Sequence, residues 1–281
     1  MFQEKIHPMS KNFNSPNFIQ PLNIPNVISA GMGLYRSHLK KYFLIDLKAY
    51  VWLLVPIYGW VKFYALSALI SRLSFGELVN QPESVSEGER FVNSRLWEFF
   101  VNMILVFAIG ISIGLVFGLI GGLLIGISAV LLGGLQDVTN MVIYGLIVLV
   151  FMIISYIGIL WIGIRFYLVD VSLAIENDVN GSSTINRSWE LTKGNVGRIL
   201  LISLIVSLIT IPIQFIISLI FPALPKEGNL ISTIFSLLLL GLIFVGSALI
   251  LPFLQTVKAV VYYDLRSRHE GIGLQLRNHD I

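Results

Sequence analysis

The chain has 281 residues, 56% of them hydrophobic and only 12% charged, with a mean hydropathy of +0.82. Soluble domains carry about 25% charged residues, so this composition belongs to a membrane protein. A net charge of +3 on scattered basic residues argues against nucleic acid as a partner, and the absence of cysteine excludes disulfides, thiolate chemistry and cysteine-held metals.

Residues 1–26 are polar and rich in proline and asparagine, without the apolar core of a secretory signal, and read as a flexible tail. A first unit, 27–96, follows. It opens on an amphipathic stretch, 28–44, with apolar Ile28, Met32, Tyr35, Leu39 and Tyr42 on one helical face. Residues 44–70 contain Asp46, Lys48 and Lys62, so only Ala49–Val61 is uncharged between the lysines. Such a helix rises about 20 Å, short for a crossing of about 30 Å. With Pro56 and Gly59 at its centre, 44–70 reads as a re-entrant or short hairpin; one ordinary span with an external tail is the alternative.

Four uncharged runs are long enough to cross a bilayer: Phe99–Gln136, Val138–Ile164, Ile199–Pro225 and Gly228–Val257. The first two form a long hairpin over 97–165. A straight Phe99–Gln136 helix would be about 57 Å long, so it must tilt, project, or break at Gly121–Gly122 or Gly133–Gly134. Gly110, Gly114, Gly118, Gly122 and Gly126 recur every fourth residue along one helical stripe. The stripe reads as a packing surface within the chain, with oligomerisation or a pore lining as the other use.

The second unit, 166–281, holds a basic loop, a hairpin over 199–258 and a basic end. Residues 185–201 match 28–44 without gaps, and Lys193 and Arg198 fall where Arg36 and Lys41 do. Pro252, Val257, Lys258, Leu265, Ser267 and Arg268 repeat Pro56, Val61, Lys62, Leu69, Ser71 and Arg72, with the first hairpin shorter by 39 residues. The expectation is a parallel repeat in which an interfacial amphipathic helix leads each hairpin and a proline-containing segment closes it; chance likeness between apolar segments is the alternative. Gly133–Met141 has no Lys or Arg and Phe221–Leu230 only Lys226, so the positive-inside rule places both ends of the chain and both basic loops in the cytoplasm.

Lys62, Arg165 and Lys258 each close an apolar stretch, and Asp170 and Asp264 follow Arg165 and Lys258 closely enough to neutralise them. They read as snorkelling anchors or structural ion pairs, or as a polar site for an anionic headgroup. His7, His38, His269 and His279 fall in tails or surface helices, and no catalytic motif is present. No catalytic residue, metal or cofactor is expected, nor an acidic pair inside the four runs for a proton relay.

Two elements, Ile185-Asn-Arg-Ser-Trp-Glu-Leu-Thr-Lys-Gly194 and Tyr262-Tyr-Asp-Leu-Arg-Ser-Arg-His-Glu-Gly271, resemble a bacterial family labelled as the membrane domain of glycerophosphoryl diester phosphodiesterases. The resemblance covers most of the chain from about Asn26. It implies a helical architecture in a bacterial plasma membrane and a cytoplasmic Asp264–Arg266–Arg268–Glu270 element suited to pairing with the 185–194 helix. It implies no phosphodiesterase activity, because no segment outside the apolar runs exceeds about 45 residues, too short for a catalytic barrel. The expected fold is an all-α, polytopic transmembrane bundle of four to six spans. The expected role is that of a non-enzymatic scaffold or accessory subunit working with lipid, a second copy or a partner membrane protein; the alternative is a transporter or lipid-handling protein that binds an anionic headgroup.

Overall fold

The computed structural model describes residues 22–132, 137–220, 222 and 229–270, without the side chain of Glu270. The described residues form ten helices and no strand: α1 (Ile24–Ser37), α2 (Leu39–Trp52), α3 (Tyr58–Leu78), α4 (Val85–Ser94), α5 (Leu96–Leu131), α6 (Val138–Arg165), α7 (Val169–Ile175), α8 (Ser183–Thr192), α9 (Val196–Ser218) and α10 (Leu230–Glu270). The turn Gly133–Met141 falls partly and Phe221–Leu230 largely outside these residues, as do most of the 1–26 tail, the Gly133–Gly134 break point, His7, Arg277, His279 and the Glu270 side chain.

Length and composition divide the helices into two kinds. Leu96–Leu131, Val138–Ile175, Val196–Ser218 and Leu230–His269 are long and apolar enough to cross a membrane, which makes this an integral membrane protein with four candidate spans. None of the most apolar stretch of α5 is buried within the chain. Two of the remaining helices, α1 and α4, carry local start signals. Asn23 caps α1 by accepting the Asn26 N–H at 3.0 Å, and Ser84 with Glu87 forms a reciprocal capping box at the start of α4.

The short helices and the polar ends of the long ones build a head. Helix α3 is its axis, buried along most of its length and packed against α2, α4, α5, α7 and α10. One apolar core, with Tyr42, Leu66, Leu69 and Phe99, fills the space between α2, α3, α4 and the start of α5. A second, with Val27, Leu168, Ile199, Val257 and Tyr262, joins α1 to α7, α9 and α10. Where α1 crosses α10, a Cβ on Gly31 would meet the Val257 Cα at 3.0 Å, so this crossing admits only glycine without a shift.

The segment 44–70 reverses direction. His38 faces Glu77 at 3.3 Å, Tyr42 accepts from Ser74 at 3.2 Å and Asp46 accepts from Ser67 at 3.3 Å, a ladder that sets α2 antiparallel to α3. The turn is tight. The Tyr58 N–H donates to the Pro56 carbonyl at 2.7 Å, which holds Ile57 between them at φ 61°, ψ −72°. Gly59 sits so close to Trp52 that a Cβ would lie 1.8 Å from its carbonyl oxygen.

One expectation is corrected. The amphipathic stretches 28–44 and 185–201 are each two helices rather than one, broken at His38 in the first and at Lys193–Asn195 in the second. His38 and Asn195, equivalent in the alignment, have nearly the same backbone conformation (φ −120°, ψ 21° and φ −118°, ψ 10°). The break is therefore common to both stretches. Of the three courses open to the long Phe99–Gln136 run, α5 takes projection: it runs unbroken through Gly121–Gly122, and Phe99 and Asn102 are buried in the head. Pro252 lies inside α10, whereas its counterpart Pro56 lies in the turn before α3.

Candidate functional site

Lys62, Arg165 and Lys258, alike in sequence, occupy three different environments. Lys258 is neutralised: its Nζ lies 2.8 Å from Asp170 Oδ2 and over the Tyr167 ring. Asp170 also accepts from Gln255 Nε2 at 3.1 Å, and Gln255 Oε1 accepts from Ser71 Oγ at 2.6 Å. This buried chain ties α3, α7 and α10 together, and its polar atoms satisfy one another. Lys62 donates to Asn93 Oδ1 at 2.6 Å and approaches the Trp52 ring. Burial lowers its pKa, an effect that Glu89 opposes and Lys48 reinforces.

Arg165 differs from both. It ends α6, is 8% exposed, and forms no ion pair among the described residues. Its Nη1 donates to the Trp189 carbonyl at 3.2 Å and to Thr192 Oγ1 at 3.4 Å. The guanidinium carbon lies 4.9 Å from the Trp161 ring centre and 5.0 Å from that of Trp189. Both rings are partly exposed, 46% for Trp161 and 39% for Trp189, and they meet edge to face. Nε is buried and has no hydrogen-bond partner.

The expected neutralisation of Arg165 by Asp170 and of Lys258 by Asp264 is not what the fold makes. Asp170 turns to Lys258, and Asp264 pairs with Arg198 at 2.5 Å and Arg268 at 2.9 Å. Asp264 also accepts the Leu22 N–H at 2.8 Å, while Arg198 and Arg268 donate to the Leu22 carbonyl, so Leu22, two residues before α1, is held by its backbone as well as by its buried side chain. The 185–194 and 262–271 elements meet through a residue in neither of them. Glu176 Oε1 accepts from Arg187 on α8 and from Tyr262 on α10, and Arg266 approaches the same tyrosine hydroxyl at 3.4 Å.

Sequence reasoning also missed two arginines. Arg72 donates to the Ala174 carbonyl, and Arg95 to those of Leu173, Glu176 and Val179. These are orphan carbonyls at and beyond the end of α7, where a cation also meets the negative end of the helix dipole. No local pattern links positions this distant in the chain.

Among the described residues, the glycine stripe packs against nothing. Nothing lies within 4 Å of a Cβ placed on Gly110, Gly114, Gly118, Gly122 or Gly126. The seam between α5 and α6 uses other glycines: Gly121 faces Phe151, and Gly158 faces Phe117. Elsewhere, a cleft of 250 Å³ between α2, α9 and α10 is lined by Tyr50, Gln214 and Ser247 among apolar neighbours, and carries no charge. Among the described residues no three metal-ligating side chains converge.

A family model described as a domain of unknown function (DUF7847) matches residues 79–265, from just after α3 into α10. No curated protein and no solved structure matches the chain.

Proposed function

The chain belongs to the DUF7847 family, a domain of unknown function, and we propose that it serves as a non-enzymatic scaffold or accessory subunit that offers its spans to a partner helix. The observation that carries this reading is the empty glycine stripe. Gly110 to Gly126 mark about 24 Å of α5 along which another backbone can approach closely, and the described residues supply none. The occupant is a second copy or a partner membrane protein. The head, with the arginines of both basic loops, faces the cytoplasm of a bacterial cell in this reading.

The cysteine-free sequence makes the test direct. Gly118→Cys, on the stripe, should form a disulfide-linked species in oxidised membranes once the partner, if not a second copy, also carries a cysteine. Ile120→Cys, on the other side of α5, should not. If neither position cross-links to anything when tested against a second copy and against co-purifying membrane proteins, the stripe has no helix partner and this reading fails.

A second reading, lipid handling through an anionic headgroup, is favoured by Arg165, which has no carboxylate partner among the described residues and whose Nε is buried without a hydrogen bond. The likeness of the 185–194 and 262–271 elements to the membrane domain of glycerophosphoryl diester phosphodiesterases supports the same lipid setting.

A further inference from the structure

An arginine has five N–H donors. Two arginines in this protein show how the fold uses the edge formed by Nε and Nη2. Arg72 sets that edge against Glu83, with Nε to Oε1 at 2.6 Å and Nη2 to Oε2 at 3.1 Å. Arg268 does the same with Asp264, at 2.9 Å and 3.3 Å. On Arg165 that edge meets no partner among the described residues. Both hydrogen bonds of its guanidinium come from Nη1, Nε is buried without a partner, and Nη2 has no hydrogen bond while not being among the buried atoms.

A cation withdrawn from water without an anion incurs a desolvation cost that its other contacts cover only in part. The end of α6 and two tryptophan faces offset some of it, and two neutral acceptors add little. What the site lacks is a planar or tetrahedral oxyanion that takes two parallel N–H bonds. The position narrows the source. Arg165 closes an apolar helix, and Trp161, one turn before it, is exposed on the flank of that helix, where an aromatic ring sits at the level of lipid headgroups.

We propose that the Nε–Nη2 edge of Arg165, between Trp161 and Trp189, receives the phosphate group of an anionic phospholipid whose acyl chains lie along α6. This rests on the lipid-handling reading above and adds to it the ligand's chemistry and the atoms that hold it. The phosphate accepts from Nη2 at the surface and reaches the buried Nε as the guanidinium turns that edge outward, while the rings flank the headgroup. Lys258 and Lys62 have no part in it, because Asp170 and Asn93 already occupy them.

The test is native mass spectrometry of the full chain from mild detergent with equal amounts of phosphatidylglycerol and phosphatidylcholine. The wild type should retain one phosphatidylglycerol in preference to phosphatidylcholine. Lys40→Gln, which removes an exposed charge elsewhere, should match it. Arg165→Gln should retain about tenfold less, the loss of a charge-assisted bidentate contact. Trp161→Ala removes a partly exposed ring and should also weaken retention, so it carries the test should Arg165→Gln fail to fold. Unchanged retention in both variants would overturn the site and leave lipid handling standing. No preference for phosphatidylglycerol in the wild type would overturn both. Displacement of the lipid by millimolar inorganic phosphate would assign the pocket to a free anion and overturn the lipid source.

Discussion

Asp170 pairs with Lys258, 88 positions away, and not with Arg165, five positions away. Both side chains of the pair are largely buried, and the carboxylate also holds Gln255. Removing one member strands the other, a change that costs about 3–5 kcal/mol in buried pairs. Asp170→Asn is therefore expected to lower the thermal unfolding midpoint in detergent markedly. The Asp170→Asn, Lys258→Gln double variant should recover part of the loss. Additive losses would show that the two side chains act independently.

Asp46 gives a pH dependence with a definite sign. Its carboxyl is buried between α2 and α3; burial pushes its pKa up to about 8, with the Ser67 hydrogen bond opposing, and Oδ2 has no partner. The folded pKa is raised above the unfolded value, so the folded protein binds the extra proton between them. Stability from this group is full below about pH 4 and is lost as pH rises to about 8. Asp46→Asn should abolish that slope and leave the protein more stable at pH 8. Parallel unfolding profiles of the two proteins between pH 5 and 8, as read by urea or heat, would refute the assignment.

The turn of the first hairpin makes a paired prediction. Ile57 holds a left-handed φ of 61°, a conformation that costs a β-branched residue about 1–3 kcal/mol. Its side chain is exposed, so Ile57→Gly should stabilise the protein or leave it unchanged. Gly59→Ala should do the reverse, because the Cβ has to occupy the place of the Trp52 carbonyl. Thermal unfolding of both variants in one detergent decides it; the same sign of shift in both would mean that the turn does not control the hairpin.

Two glycines on α5 separate packing within the chain from packing outside it. A Cβ on Gly121 meets the Phe151 ring at 2.6 Å, so Gly121→Ala should loosen the α5–α6 seam by about 1–3 kcal/mol. Gly118→Ala meets nothing and should raise helix stability by about 0.5–1 kcal/mol in the isolated subunit. Unfolding of the dispersed monomer measures the difference between them.

The spans were legible because membrane crossing is a property of local composition. The uncharged runs in the sequence coincide with α5, α6, α9 and most of α10. The reversal within 44–70 could likewise be read from two lysines, a proline and a glycine. The buried face of α8 could not. It is formed by Thr184, Ser188, Leu191 and Thr192, whereas apolar spacing selects Ile185 and Trp189. Thr184 donates to the Val169 carbonyl at 2.9 Å and Ser188 to that of Arg165 at 2.7 Å, so small hydroxyls satisfy the backbone between α6 and α7. Hydrophobic periodicity is blind to a face that is buried through hydrogen bonds. The charge pairings escaped for a related reason: neighbours in sequence compete with partners brought close only by the fold, and Glu176 shows no sign of its role in the residues around it.

The clasp on Leu22 has one more consequence. Asp264, Arg198 and Arg268 hold the first described residue against the last turns of α10, so the polypeptide enters and leaves the folded head through a single doorway. Sequences that precede residue 22 and follow α10 therefore start from neighbouring points of the head. Two weak recognition sequences placed on those flanks would meet a common partner at high effective concentration and act as one bivalent ligand.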